Sequence, residues 1–192
     1  MDGKKVDLKY DSPYEYIFVE LCQKTKGFFR KLNFTPNMIT ALSLLSAILM
    51  YKAFRKGKYH QAGLWILASY YFDCLDGIFA RTYNMTSKFG DFFDHASDII
   101  TIVLMTLAVY KSNVSNQSKC LYFAVMGVLL FLSSAQTGCL QKMTKNKDES
   151  PTLQILSKVS PNESYINYIK YFGPATFYFA NFLIFYNFKN VK

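Results

Sequence analysis

Four aspartates lie inside apolar stretches of the chain, at Asp73, Asp76, Asp94 and Asp98. An ionised carboxylate in apolar surroundings is costly unless it is paired or bound to a ligand. The first two are three residues apart and the last two are four apart, so each pair shares one face of a helix. Carboxylate oxygens are preferred ligands of Mg²⁺, Mn²⁺ and Ca²⁺. The spacing therefore favours a divalent metal site over neutralisation by basic partners, since only Arg81 is nearby in sequence.

Small residues accompany both aspartate pairs. Gly77 and Ala80 lie about one and two helical turns after Asp73, and Gly90 lies about one turn before Asp94. Small side chains let helices approach closely, and they also let a flat ligand lie against the backbone. Both interpretations are consistent with the sequence.

The segments that carry the aspartates are long and apolar. Because about 20 apolar residues cross a bilayer as a helix, we predict an all-α transmembrane bundle. Its five clear spans are 36–54, 59–80, 87–110, 120–140 and 164–188. Gly173-Pro174 predicts a kink in the last span. A sixth span would have to lie in the polar stretch 141–163.

The turn between the second and third spans is short. We therefore predict that these two spans are antiparallel neighbours and that the four carboxylates converge between them, near one membrane surface.

The first 35 residues form a separate region, a polar tail followed by an amphipathic helix. Ser12, Pro13 and Glu15 have the order of a helix start, with a capping hydroxyl, a proline at the first position and an acidic residue near the N-terminus. Apolar residues then recur at helical spacing, with lysines and arginines between them. This pattern predicts a helix that lies in the membrane interface, followed by one transmembrane domain over 36–188.

The composition excludes some classes of function. The chain has 192 residues, is 51% hydrophobic and carries a formal net charge of +9. Its basic residues stand between apolar blocks, as in membrane proteins, and no nucleic-acid-binding motif accompanies them, so we expect membrane lipids and no nucleic acid as partners. The four cysteines form no C-x-x-C pair, which favours reduced apolar residues over a disulfide or zinc.

The distribution of basic residues predicts the orientation. With the N-terminus in the cytoplasm, most of the Lys and Arg residues face inward, although the basic loop 55–58 then faces outward. This orientation places the aspartates near the cytoplasmic surface.

Together these residues resemble the signature of the CDP-alcohol phosphotransferase family, which is also called the class-I CDP-alcohol phosphatidyltransferase family. Eight fixed positions match, in two groups with eight residues between them: Asp73-x-x-Asp76-Gly77-x-x-Ala80-Arg81 and Gly90-x-x-x-Asp94-x-x-x-Asp98. Asn37 and Thr40, at the start of the first span, are also similar to the first helix of the family. The resemblance covers about residues 30 to 110.

The resemblance implies a cytoplasm-facing site with two Mg²⁺ or Mn²⁺ ions that bind the pyrophosphate of a CDP-linked donor. It implies that Asp73, Asp76 and Asp94 are metal ligands, and that Asp98 is a ligand or the general base. It also implies a CDP-binding surface that consists of Asn37, Gly77, Ala80, Arg81 and Gly90. For Arg81, a purely structural ion pair is an equally good interpretation. Members are often dimers, so the resemblance is compatible with a homodimer.

His95 gives a hint about the acceptor. It follows Asp94 directly, and a similar Asp-His step occurs in the choline and ethanolamine phosphotransferase branch, where the acceptor is diacylglycerol and the histidine is a candidate base. The alternative for His95 is a polar contact with a neighbouring helix. Asp91 falls near the same face, and for it we expect a solvated or water-bridging role.

The sequence therefore predicts a phospholipid-synthesis enzyme that transfers a phosphate-linked group from a CDP-activated donor to an alcohol and releases CMP. CDP-diacylglycerol with a small alcohol is favoured by the short chain, and a CDP-amino alcohol with diacylglycerol is favoured by His95. Two other classes remain open. Carboxylates in membrane helices also mark cation-conducting proteins, and a family member without activity could serve as an assembly partner.

Overall fold

The structure is a computed structural model, and it describes residues 3, 10, 12–143, 158 and 160–188. Seven α-helices occur in this part of the chain, and no strand does. They are α1 (Pro13–Lys31), α2 (Pro36–Arg55), α3 (Tyr59–Thr82), α4 (Lys88–Tyr110), α5 (Asn116–Met143), α6 (Ile166–Ile169) and α7 (Pro174–Tyr186). The 3₁₀ turns Glu163–Tyr165 and Lys170–Phe172 flank α6. The predicted all-α class is confirmed.

Local capping explains where the helices begin. The Ser12 hydroxyl accepts a hydrogen bond from the Glu15 N–H at 3.3 Å, and Pro13 occupies the first position of α1, as the sequence predicts. Thr35 caps α2 in the same way, and Ser87 caps α4 by accepting from the Gly90 N–H at 3.0 Å. The helices that correspond to the first three predicted spans begin at Pro36, Tyr59 and Lys88, within one residue of the predicted positions.

Helix α2 is the element that organises the site. It packs along α3 on one side and along α4 on the other, whereas α3 and α4 have little direct backbone contact. The close approach of α2 to α3 uses small polar residues, because Ser43 donates to the Ser69 carbonyl at 2.9 Å and Ser69 donates to the Ser43 carbonyl at 3.1 Å. The predicted neighbours α3 and α4 thus meet through side chains and not through close backbone packing. The space between them is bridged by side chains.

The other helices enclose α3. Helix α7 packs along α3 and α5, and α1 packs on α3 and α7. Val19 and Cys22 of α1 are buried against the α3 residues Leu75, Ile78 and Phe79. The burial of Cys22 raises the pKa of its thiol to about 12, with a smaller contribution from the charge of Glu15. Apolar residues on a different face of α1 are exposed, namely Tyr14, Ile17, Leu21 and Phe28, as are Tyr16 and the C-cap residue Leu32.

Three helices of the described chain, α2, α4 and α5, are long and apolar enough to cross a membrane, whereas the sequence predicted five spans. Helix α3 falls short because it carries charged residues, including Asp73 and Asp76. The last predicted span is interrupted at Gly173-Pro174, as expected for a kink, and α7 has 13 residues after the break. At 1.5 Å per residue α7 is about 20 Å long, less than the bilayer core of about 30 Å. Most of the polar stretch 141–163, where a sixth span was considered, lies outside the described residues.

Candidate active site

Three of the four predicted carboxylates meet in the space between α3 and α4. Asp73 of α3 is in side-chain contact with both Asp94 and Asp98 of α4. The i,i+4 spacing of the two α4 residues turns both carboxylates toward α3. Asp73 is therefore the residue that joins the two halves of the predicted cluster.

The fourth carboxylate, Asp76, is held on the α2 side. It is 4% exposed, and the Thr40 hydroxyl of α2 donates to its Oδ2 at 2.5 Å. The backbone N–H of Gly77 is a second donor to this carboxylate. Asp76 is also close enough to Asp94 for their charges to interact. The four predicted residues thus form one electrostatic group, with Asp76 in a more enclosed position than the rest.

Helix α7 closes a further side of the cluster. The Tyr178 hydroxyl donates to Asp98 Oδ1 at 3.3 Å, and the Tyr178 side chain is buried. Sequence reasoning missed this residue, because nothing distinguishes it from the other 14 tyrosines of the chain. Thr40 was noticed only as part of the resemblance. Its position one turn after Asn37 is the signal that could have assigned it to the site.

The donor set fits a hard divalent cation. Several carboxylates in contact in an enclosed place repel one another unless cations or protons offset their charge. Asp94 Oδ1 is buried and has no hydrogen-bond partner among the residues that the structure describes, so it remains able to coordinate. Within the same residues, no three His, Cys, Asp or Glu side chains are already arranged as a metal cage. The fit to a divalent cation therefore rests on the carboxylate oxygens as ligand type and not on a preformed coordination geometry.

The glycines of the motif make room for polar side chains. A Cβ atom at Gly77 would lie 3.1 Å from Nη2 of Arg81, so the guanidinium folds back over this glycine. A Cβ atom at Gly90 would lie 3.2 Å from Oδ1 of Asn37. Asn37 of α2 and Gly90 of α4 are thus neighbours.

Arg81 and Ala80 lie at the end of α3. Arg81 is exposed, and its Nε donates to the backbone carbonyl of Gly3 at 2.5 Å. Ala80 is half-buried, and its carbonyl accepts from the Met85 N–H at 2.8 Å where the chain leaves the helix. Nothing in the sequence predicted that the N-terminal region reaches Arg81.

His95 is paired within its own helix. Its Nε2 is 3.6 Å from Oδ1 of Asp91, one turn earlier on α4. Both side chains are half-buried, and His95 is also near enough to Asp94 for an electrostatic interaction. Asp91, for which we expected a solvated role, is thus placed where it can orient the imidazole.

Comparison with known proteins agrees with this arrangement. The family model described as CDP-alcohol phosphatidyltransferase matches residues 33–160, which is more than half of the chain. No curated protein and no solved structure matches the chain. Members of the matched family transfer from CDP-alcohols in phospholipid synthesis, and α2, α4 and α5 are apolar enough for an integral membrane protein. The chain therefore belongs to the CDP-alcohol phosphatidyltransferase family.

Proposed function

We propose that this protein transfers a phosphate-linked group from a CDP-activated donor to an alcohol hydroxyl, at the aspartate cluster between α3 and α4. The contact of Asp73 with both Asp94 and Asp98 is the observation that carries the proposal. It supports one site built from both halves of the family motif. An ion-conducting role gives no reason for the accompanying glycines, alanine and arginine.

The cluster is proposed to bind Mg²⁺ or Mn²⁺, with two ions at full occupancy. Asp73, Asp76, Asp94 and Asp98 would hold them, and bound ions would offset the negative charge of the donor pyrophosphate. The chain's own contribution is to fix the carboxylates before substrate arrives. Thr40 holds the Asp76 carboxylate through the 2.5 Å hydrogen bond. The carboxylate is therefore already oriented before the metal and the donor bind.

The donor is proposed to lie beside Asn37, Gly77, Ala80 and Gly90. Without side chains at Gly77 and Gly90, the donor can approach the backbone closely at these positions. The side-chain amide of Asn37 can hydrogen-bond to the base or the ribose of the donor. Arg81 has a guanidinium that suits a phosphate oxygen. Arg81 is exposed, and donor binding would require it to exchange its Gly3 contact for the phosphate.

Asp98 is proposed to accept the proton of the attacking hydroxyl. In the reaction, the acceptor oxygen forms a new bond to the phosphorus attached to the transferred group, the bond from that phosphorus to the CMP oxygen breaks, and CMP carries away the bond electrons. The acceptor proton moves to a carboxylate within hydrogen-bond reach. Asp98 is suited because the Tyr178 hydroxyl orients its carboxylate from α7.

The class of acceptor alcohol depends on which of two classes of CDP-linked donor the protein uses. With CDP-diacylglycerol the acceptor is a small alcohol, and with a CDP-amino alcohol it is diacylglycerol. The 3.6 Å approach of His95 to Asp91 supports the second choice, because an oriented imidazole can serve as the base. The first choice needs no role for His95.

We further propose five membrane crossings, with the site on the cytoplasmic side and α1 in the interface. The exposed apolar side of α1 and its lysines support the position of this helix. Helix α3 and the segment 164–188, which includes α7, cross as members of the bundle, with α2 packed on α3 and α5 packed on α7. Exposed apolar residues on α4 and α5 would face lipid or, in a homodimer, a second copy.

The test is CMP release by the purified protein in lipid nanodiscs. Each donor class is combined with a panel of acceptors, with Mg²⁺ or Mn²⁺ and with chelator. Asp98→Asn is the site variant, and Glu20→Gln is the matched control, because Glu20 is a surface carboxylate that pairs with Lys24 at 2.7 Å. We expect metal-dependent CMP release that Asp98→Asn abolishes and Glu20→Gln retains.

The same assay separates the alternatives. Release with only one donor class identifies the acceptor branch. A folded protein that binds CDP and releases no CMP from any pair would indicate a non-catalytic family member. Cation flux through liposomes without CMP release would overturn the transferase.

A further inference from the structure

We infer that Tyr178 is a positioning residue for the reaction, and that it acts by holding the carboxylate of Asp98 in one orientation. This inference rests on the proposed function. It adds a residue from α7, outside both halves of the family motif and beyond residues 33–160 that the family model matches.

The first observation is the hydrogen bond itself. The Tyr178 hydroxyl donates to Asp98 Oδ1 at 3.3 Å from a ring that is 6% exposed. This distance is longer than the usual O–H···O bond of about 2.7 Å, as hydrogen bonds in ligand-free active sites often are before substrate tightens them. Because little water reaches the hydroxyl, solvent cannot readily replace the bond.

The second observation is that the Tyr178 ring is itself immobilised. It stacks on Tyr70 of α3, with 4.6 Å between ring centroids and 22° between ring planes. Tyr70 is 2% exposed, and its hydroxyl donates to the carboxylate of Glu15 on α1. Phe18 of α1 packs edge-on against Tyr70 at 4.8 Å. A side chain held on several sides can fix the group that it contacts.

The third observation is the place of Asp98 in the cluster. Asp98 also contacts Asp73, and Tyr178 donates to it from α7, so its carboxylate has partners on two helices. A carboxylate rotates about its terminal torsion with broad preferences unless its contacts hold it. Loss of the Tyr178 donor would leave the Asp73 contact to oppose that rotation. Tyr178 therefore helps to keep Asp98 in a single geometry for the attacking hydroxyl or for a metal ion.

A matched control involves the same helix, α7, as a hydrogen-bonding partner. Tyr122 of α5 is also a buried tyrosine, and its hydroxyl donates to Asn181 of α7 at 2.8 Å. Tyr122→Phe removes a buried hydroxyl bonded to α7 without touching a carboxylate. Tyr178→Phe removes one bonded to Asp98. The difference between the two variants isolates the role of Tyr178 in the site.

The experiment measures kcat, donor KM and the thermal midpoint of both variants in nanodiscs. We expect Tyr178→Phe to lower kcat by about 10- to 100-fold, the range that follows from loss of positioning in an active site. We expect donor KM and the midpoint to match those of Tyr122→Phe, which keeps kcat within about twofold of the wild type. A Tyr178→Phe kcat equal to that of Tyr122→Phe would overturn the inference.

If Tyr178→Phe does not fold, substitution by p-methylphenylalanine fills the volume of the lost hydroxyl without a donor. Substitution by p-aminophenylalanine restores a donor. We expect the amino variant to retain more than half of the wild-type kcat and the methyl variant to show the loss. Equal kcat in the two variants would contradict a hydrogen-bonding role.

Binding of Mn²⁺ alone, followed by electron paramagnetic resonance, gives a second readout that needs no turnover. Tyr178→Phe should weaken Mn²⁺ binding several-fold in the wild-type background and have no effect in an Asp98→Asn background. An equal effect in both backgrounds would mean that Tyr178 acts through the fold and not through Asp98. If the wild type releases no CMP, the proposed transferase fails, and the Mn²⁺ measurements still decide the role of Tyr178.

Discussion

The hydrogen bond from Thr40 to Asp76 can be removed with almost no change of shape, by Thr40→Val. Asp76 is 4% exposed and the bond is 2.5 Å long, so water cannot easily substitute for the lost hydroxyl. The Gly77 N–H remains as a donor. A hydrogen bond to a charged group contributes about 1.5–3 kcal/mol, and with one donor left we expect a loss of about 2 kcal/mol.

Two consequences follow if the orientation of Asp76 matters for the reaction. A loss of about 2 kcal/mol corresponds to about a 30-fold decrease in kcat/KM. Part of the same energy is expected to appear as lower stability of the metal-free protein. Both quantities are measurable, by CMP release under subsaturating donor and by chemical unfolding in detergent with chelator.

The chain contains a close control for this substitution. Thr101 is 2% exposed, and its hydroxyl donates to the carbonyl four residues earlier, at Ser97, at 2.9 Å. The Thr40 hydroxyl has the same kind of contact with the carbonyl of Pro36 at 3.2 Å. Thr101→Val therefore reproduces every change except the loss of the carboxylate bond. If Thr40→Val and Thr101→Val have the same kcat/KM, the reasoning about Asp76 is refuted.

Two further predictions concern the donor surface and the position of α1. Gly77→Ala should raise donor KM about tenfold because the added methyl group would enter the proposed donor surface beside the Arg81 guanidinium. Gly127→Ala, whose Cβ would meet open space, should leave donor KM unchanged. Equal KM values for the two variants would show that Gly77 has no role beside the donor. Maleimide at pH 7.5 should label the exposed Cys120 in the native protein and leave Cys22 unlabelled. Burial of Cys22 between α1 and α3 raises the pKa of its thiol to about 12 and keeps it protonated. Labelled Cys22 in mass spectrometry would mean that α1 is not docked on α3.

The sequence predicted the parts of the fold that local chemistry determines. Ser12, Thr35 and Ser87 each accept a hydrogen bond from an N–H only three residues later in the chain. Because this contact is local, the residue types alone indicate where the helices begin. The break at Gly173-Pro174 is local in the same way. The convergence of Asp73 with Asp94 and Asp98 was predictable because helical spacing fixes which residues share a face.

Features that depend on packing between distant segments were not predictable from one sequence. The backbones of α3 and α4 each pack on α2 and make little contact with one another, and Ser43 of α2 donates to the Ser69 carbonyl of α3. Tyr178 is 80 residues from Asp98 in the chain, and one tyrosine among many carries no signal of such a contact. The contact of Gly3 with Arg81 is equally remote in sequence.

The central claim is that the aspartates of α3 and α4 form one catalytic site, and Asp73 is the residue that contacts both α4 carboxylates. The most direct test is metal-dependent CMP release by Asp73→Asn in nanodiscs, beside the wild type and the surface variant Glu20→Gln. We predict that Asp73→Asn lowers kcat by about a hundred- to a thousandfold, as expected when a group that organises charge in an active site is neutralised, and that Glu20→Gln keeps full activity. Substantial CMP release by a folded Asp73→Asn protein would contradict the single catalytic site.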